Sequence, residues 1–251
     1  MTENDGTVLI TGAGGGLGRA IARRFSADGN AVVCLDSDGE AVARTAEDST
    51  TPEATATSHA VDITDESALA GLREQLGDAG RLPRCVINAA GILDRGRMAN
   101  TDATTFRRVV DVNLTGAYLI TRAFADDLVD SGAGRVVNVA SHAGTTGYQF
   151  PAYAASKAAL INLTRSLLVD FWGTGVTANA VCPGAMDTPM LDRSATDAFV
   201  RKTPTRRVVT PEEVAGVCAF LASGEAACLN GQSIVVDGGA TSVFRYVDQE
   251  S

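Results

Sequence analysis

Within "GYQFPAYAASK", residues 147–157, a phenol and an amine stand four residues apart, Tyr153 and Lys157. On a helix this spacing puts both on one face. A free phenol titrates near pH 10, too high for a base at neutral pH. A neighbouring ammonium, a helix N-terminus or a cationic ring would each lower it. A shift of about 3 pKa units requires about 4 kcal/mol of preferential phenolate stabilisation. The pair would then exchange a proton with a substrate oxygen. The spacing alone is equally compatible with a packed tyrosine beside a lysine that reaches for solvent.

A second chemical feature is "TGAGGGLGRA", residues 11–20. It follows a β-branched run and opens a helical pattern. Gly12, Gly16 and Gly18 let the chain turn sharply and let a diphosphate approach a helix N-terminus. Asp36 closes the next apolar run, 18 residues beyond Gly18. A carboxylate there accepts from adenosine ribose hydroxyls and repels a 2′-phosphate. Ser37 follows it, and no Lys or Arg lies between Gly12 and Gly16. The expectation is NAD rather than NADP.

The elements that must position these groups alternate along the chain. Apolar runs at 7–11, 31–36, 56–63, 84–91, 134–141, 175–184 and 231–239 predict seven strands. Helical spacing recurs at Leu17, Ile21 and Phe25, over 39–47, at Leu69, Leu72 and Leu76, and over 104–130, 152–172 and 210–223. Near-continuous apolar strands fit a parallel sheet covered on both faces. The expected fold is α/β: a single-domain doubly wound Rossmann fold over 1–251, with a seven-stranded parallel sheet and helices on both faces. The strandless stretch 185–209 reads as a substrate lid.

Composition narrows the function. A net charge of −9 argues against nucleic acid and anionic membranes. Five scattered cysteines without C-x-x-C read as reduced thiols, which predicts a cytoplasmic protein. His59 and His142 lie far apart with no Cys/His cluster, so no metal site is expected. The opening "MTENDG" lacks the charged-then-apolar order of a secretory signal.

In this order, "TGAGGGLG", Asp36, "VDI" (61–63), "NAAG" (88–91), "VNLTG" (112–116), "VVNVAS" (136–141), "YAASK" (153–157), "PGAMDT" (183–188) and "GQSIVVDGG" (231–239) resemble the short-chain dehydrogenase/reductase family over nearly the full length. The resemblance implies hydride exchange with a nicotinamide cofactor. Tyr153 corresponds to the general acid/base, Lys157 to its electrostatic partner and ribose contact, Ser141 to the donor that orients the substrate oxygen, and Asn113 to the residue that holds a relay water. Gly12, Gly16, Leu17 and Gly18 match the diphosphate turn, and Asp62 and Ile63 the adenine contacts. Asn88, Ala89 and Gly91 match the wall beside the cofactor, and Pro183, Gly184, Met186 and Thr188 the carboxamide end. Ala89 departs from the family's usual Asn, and the Ser141–Tyr153 interval is about one residue short.

The implied activity is NAD-dependent interconversion of a secondary alcohol and a ketone. The alternatives are an NADPH-dependent 3-oxoacyl-thioester reductase, against which Asp36 argues, and a non-catalytic nucleotide-sensing regulator, which would not need Asn113, Ser141, Tyr153 and Lys157 together. The family also implies a homotetramer or homodimer. His142 either contacts substrate or caps its loop. Phe150, Met190, Leu191 and Phe199 either line a pocket or pack. Tyr148 either faces substrate or shapes its loop.

Overall fold

The computed structural model describes residues 6–243. Apart from Gly6, the polar opening segment lies outside the described residues. Seven parallel strands form one sheet in the order β3-β2-β1-β4-β5-β6-β7. They are β1 (Thr7–Thr11), β2 (Ala31–Asp36), β3 (Ala56–Ala60), β4 (Pro83–Asn88), β5 (Arg135–Val139), β6 (Thr177–Pro183) and β7 (Ser233–Val236). The order reverses between β1 and β4, so the crevice of a doubly wound sheet opens above their carboxyl ends.

The strands alternate as parallel strands buried on both faces must. In β1, Val8 and Ile10 enter a core with Val32 and Cys34, while Leu9 enters the opposite core with Val33 and Leu35. On the first face lie α1 (Gly16–Ala27), α2 (Gly39–Ser49) and α9 (Pro211–Ala222). On the second lie α3 (Glu66–Asp78), α5 (Gly116–Ala123), α6 (Ala125–Asp130) and α7 (Pro151–Asp170). Leu17, Ile21 and Phe25 form the buried stripe of α1. Each such side chain contributes about 1.5–3 kcal/mol on burial. Thr210 caps α9 in a reciprocal box with Glu213, and Pro211 occupies the first helical position.

Two regions differ from the sequence reading. The continuous helix expected over 104–130 is interrupted. It consists of α4 (Ala103–Val110), a π-helical turn (Asp111–Thr115), α5 and α6, with a break at Phe124. The wide turn faces Asn113 inward, where its side chain ties three elements together. The lid stretch 185–209 holds a 3₁₀ turn (Arg193–Ala195) and a short helix, α8 (Thr196–Lys202). Its base is closed by a parallel bridge between Met186 and Val209, with hydrogen bonds Asp187 N–H to Val209 O (3.1 Å) and Val209 N–H to Ala185 O (2.9 Å). Among the described residues no helix is long and apolar enough to cross a membrane.

Candidate active site

A cavity of about 870 Å³ runs along the carboxyl ends of the strands, from Asp36 and Asp62 at one end to Tyr148, Met190 and Phe199 at the other. The turn before α1 is built for close backbone approach. Gly12 has φ +68°, and a Cβ there would stand 2.6 Å from Ala90 Cα. A Cβ on Gly18 would stand 2.1 Å from Gly12 O. Helix α1 has no side-chain cap and no acid in its first turn, so its first N–H groups face the cavity uncontested. That donor set fits a diphosphate.

Asp36 is held rather than free. Its Oδ2 accepts from Gly14 N–H (2.9 Å) and its Oδ1 from Asp38 N–H (3.0 Å). Two main-chain donors therefore fix the carboxylate at the cavity's edge. On the other side of the turn, Thr11 Oγ1 accepts from Ala89 and Ala90 N–H, both at 3.1 Å. The main chain after β4 is placed without the amide that Ala89 lacks.

Asn88 is turned the other way. It follows the parity of Val86, not of Ile87, and its Nδ2 donates to Asn138 Oδ1 (2.8 Å) and Thr121 Oγ1 (3.1 Å). It is buried between β4, β5 and α5 and does not line the cavity.

At the centre, Ser141 ends the β5 segment and caps a 3₁₀ turn (His142–Gly144), its Oγ accepting from Ala143 N–H at 3.1 Å. Pro151 opens α7, which places Tyr153 in the first turn. Lys157 is buried, and its Nζ donates to Val139 O (2.7 Å) and lies 5.9 Å from the Tyr153 ring centroid. Burial lowers the Lys157 ammonium to about 8.

The phenol behaves differently from the sequence expectation. Burial pushes Tyr153 above its ordinary value, the nearby Ser141 hydroxyl opposes the shift, and Tyr148 adds to it. The protein's side chains by themselves keep this phenol protonated at neutral pH.

Asn113 does not line the cavity; its side chain lies behind it. Its Oδ1 accepts from Ile92 N–H (2.7 Å), and Nδ2 donates to Ile92 O (3.0 Å) and Ser156 Oγ (3.0 Å). Both amide hydrogens are spent. A Cβ on Gly91 would lie 3.2 Å from both Asn113 Oδ1 and Lys157 Nζ, so glycine keeps open the space between them.

Gly12, Gly16, Leu17, Gly18, Asp36, Asp62, Ile63, Ala89, Gly91, Ser141, Tyr153, Lys157, Pro183, Gly184, Met186 and Thr188 all line the one cavity; Asn88 and Asn113 stand behind it. Arg95 was not foreseen. It lines the cavity, and its Nη2 donates to Met190 O of the lid at 2.7 Å. Its position just past "NAAG" was the only signal for it. Among the described residues no group of acids, histidines and cysteines could hold a metal.

This arrangement fits an α/β oxidoreductase of the nicotinamide-dependent kind, with a glycine-rich turn at the switch point and a Ser-Tyr-Lys cluster beside it. The chain belongs to the short-chain dehydrogenase/reductase family: the family described as enoyl-(acyl carrier protein) reductase matches residues 12–241. It is 37% identical over 247 residues to meso-2,3-butanediol dehydrogenase of Serratia marcescens, covering 96% of this chain and 97% of that one. The crystal structure of levodione reductase superposes with a TM-score of 0.90 at 31% identity, covering 97% of this chain and 100% of that one. A 3-oxoacyl-[acyl-carrier protein] reductase from Brucella melitensis with bound NAD gives a TM-score of 0.86 at 35% identity, covering 93% of this chain and 90% of that one.

Proposed function

We propose that this protein is an NAD-dependent dehydrogenase that interconverts a secondary alcohol and a ketone. The observation that carries the cofactor choice is Asp36, fixed by two main-chain donors at the ribose end of the cavity with Ser37 beside it. A 2′-phosphate there would meet a pinned anion. The same feature argues against an NADPH-dependent thioester reductase.

A nicotinamide cofactor supplies the hydride exchange and, in its oxidised form, a positive charge. Gly12, Gly16, Leu17 and Gly18 would hold its diphosphate, Asp62 and Ile63 its adenine, and Ala89 and Gly91 one wall. Pro183, Gly184, Met186 and Thr188 would surround its carboxamide. Tyr153 takes the proton from the substrate hydroxyl or returns it to the ketone oxygen, and Ser141 donates to that oxygen. Lys157 holds the ribose and passes the proton outward across the gap above Gly91, where a water would meet the free lone pair of Asn113 Oδ1. Alcohol oxidation then calls on the added positive charge, because burial alone raises the phenol.

Secondary-alcohol chemistry is supported by relatives named for it, the butanediol dehydrogenase above among them. Exposed Phe106 on α4, Tyr118 on α5 and Val169 on α7, with Trp172 just beyond it, are apolar side chains that a homotetramer or a homodimer would cover. Buried free thiols at Cys34, Cys85, Cys182 and Cys218 support a reducing, cytoplasmic setting.

The test is a steady-state screen of secondary alcohols with each cofactor. The expected result is a kcat/KM about 100-fold or more higher with NAD than with NADP, since like-charge juxtaposition costs several kcal/mol. A preference for NADP would overturn the proposal.

A further inference from the structure

The loop between Ser141 and α7 carries two polar side chains that the proton path does not use, His142 and Tyr148. Both line the cavity. The buried nitrogen of His142, Nδ1, has no hydrogen-bond partner among the described residues and faces Asp237 Oδ2 at 3.9 Å. That separation makes the contact electrostatic rather than a hydrogen bond.

Asp237 is itself fixed. Its Oδ1 accepts from Gly239 N–H (2.8 Å), and its Oδ2 accepts from Thr241 N–H (2.8 Å) and the Thr241 hydroxyl (2.7 Å). Burial pushes this carboxyl up, but the hydrogen bonds from Thr241 and Gly239 outweigh it and hold it below its ordinary value. It is an anion at neutral pH. Gly184 leaves the room this pair needs, since a Cβ there would lie 2.7 Å from Asp237 Cβ.

A bare lone pair aimed at an anion is unfavourable, so Nδ1 carries the ring proton. Burial holds His142 below its ordinary value in spite of Asp237, so the ring carries one proton, not two. Nε2 is then an acceptor. Among the described residues it has no hydrogen-bond partner, and unlike Nδ1 it is not one of the buried unpartnered atoms, while its ring lines the cavity. Beside it, the Tyr148 ring lies 5.8 Å from the His142 ring and stands edge-on to Phe150 at 5.5 Å. Tyr148 is also near enough to Tyr153 to influence it.

We propose that His142 and Tyr148 form a second polar subsite, which accepts a hydrogen bond from a hydroxyl on the carbon next to the reacting carbinol. The substrate class is then a vicinal diol, or its α-hydroxy ketone in the reverse direction. The placement follows from the chain. His142 follows Ser141, Tyr148 lies within electrostatic reach of Tyr153, and all four line the same cavity, so the subsite adjoins the oxygen that Ser141 and Tyr153 hold. The proposal rests on the reading of Ser141 and Tyr153 as the groups that hold the reacting oxygen. An Nε2 acceptor discriminates by donor, so an ether in place of the second hydroxyl is refused.

The experiment compares kcat/KM with NAD for 2,3-butanediol, 2-butanol and 3-methoxy-2-butanol, in wild type, His142→Leu, His142→Gln and Tyr148→Phe. The expected wild-type preference for the diol over both others is about tenfold or more. His142→Leu brings the diol-to-butanol ratio toward one, through KM more than kcat. Tyr148→Phe lowers it severalfold, and His142→Gln, which keeps an acceptor, restores much of it. Equal rates for diol and methoxy ether in wild type would overturn the proposal. So would an unchanged ratio in a folded His142→Leu protein. Failure of wild type to oxidise any of the three while binding NAD would instead strike the underlying dehydrogenase reading, and this subsite with it.

Discussion

At the β1–β4 end of the cavity the contacts belong to the main chain. Gly12 and Gly18 are packed against backbone, the α1 N-terminus is uncapped, and even the Asp36 side chain is set by the N–H groups of Gly14 and Asp38. At the opposite end the surface is made of side chains on loops. His142, Tyr148 and Phe150 come from one loop, Met190, Leu191 and Phe199 from the lid, and Arg95 joins the lid from a third segment. A main-chain site tolerates little change, because an atom added at Gly12 or Gly18 meets backbone. A side-chain site on loops can vary while the scaffold stays intact. On the proposed function, the crevice then has a fixed end for the cofactor and an adjustable end for the substrate.

The largest effect should come from breaking the main-chain end. Gly12→Ala puts a Cβ 2.6 Å from Ala90 Cα at a positive φ. Strain and overpacking together predict a loss of about 3–5 kcal/mol, a Tm drop on the order of 10 °C, and loss of NAD binding by titration. A Tm within about 2 °C of wild type would break the main-chain account.

Lys157 sits where the two ends meet. Its folded-state value of about 8 lies below the ordinary 10.5 of a lysine. Between these values the unfolded chain binds more protons than the folded one, so stability rises with pH across that window. Conversely it falls as pH drops through about 8, where the buried ammonium becomes charged. Thermal melts of wild type against Lys157→Met, from pH 7 to 10.5, should show wild type gaining up to about 3 kcal/mol over the variant. A flat difference would mean that the amine is solvated.

Asn88→Ala sharpens the boundary. The amide joins β4, β5 and α5 behind the cavity, so its removal should cost about 1–3 kcal/mol while NAD affinity changes less than about twofold. A tenfold loss of affinity at unchanged stability would return Asn88 to the cofactor wall. The smallest effect is expected at the adjustable end. Arg95→Ala removes an exposed bond to Met190 O, which should leave Tm within about 2 °C and raise substrate KM a few-fold.

The same division explains what was legible in the sequence. The glycine turn and Asp36 could be read because a backbone turn restricts residue type, and strand alternation carried the sheet. The direction of Asn88 was also written in that alternation, since it shares the parity of Val86 rather than Ile87. The π turn at Asn113 was not legible. Its 3.6-like apolar spacing continues through Asp111–Thr115, and only packing against Ile92 and Ser156 shows the wider turn. The roles of His142 and Tyr148 depended on Asp237, nearly a hundred residues away, which local pattern does not connect.

The central claim is that Tyr153 moves the proton. Its most direct test is Tyr153→Phe, followed by single-turnover NAD reduction and by NAD titration. The account predicts a loss of about 1000-fold or more in the rate of hydride transfer, with NAD affinity kept within about twofold. Turnover within about tenfold of wild type would contradict it.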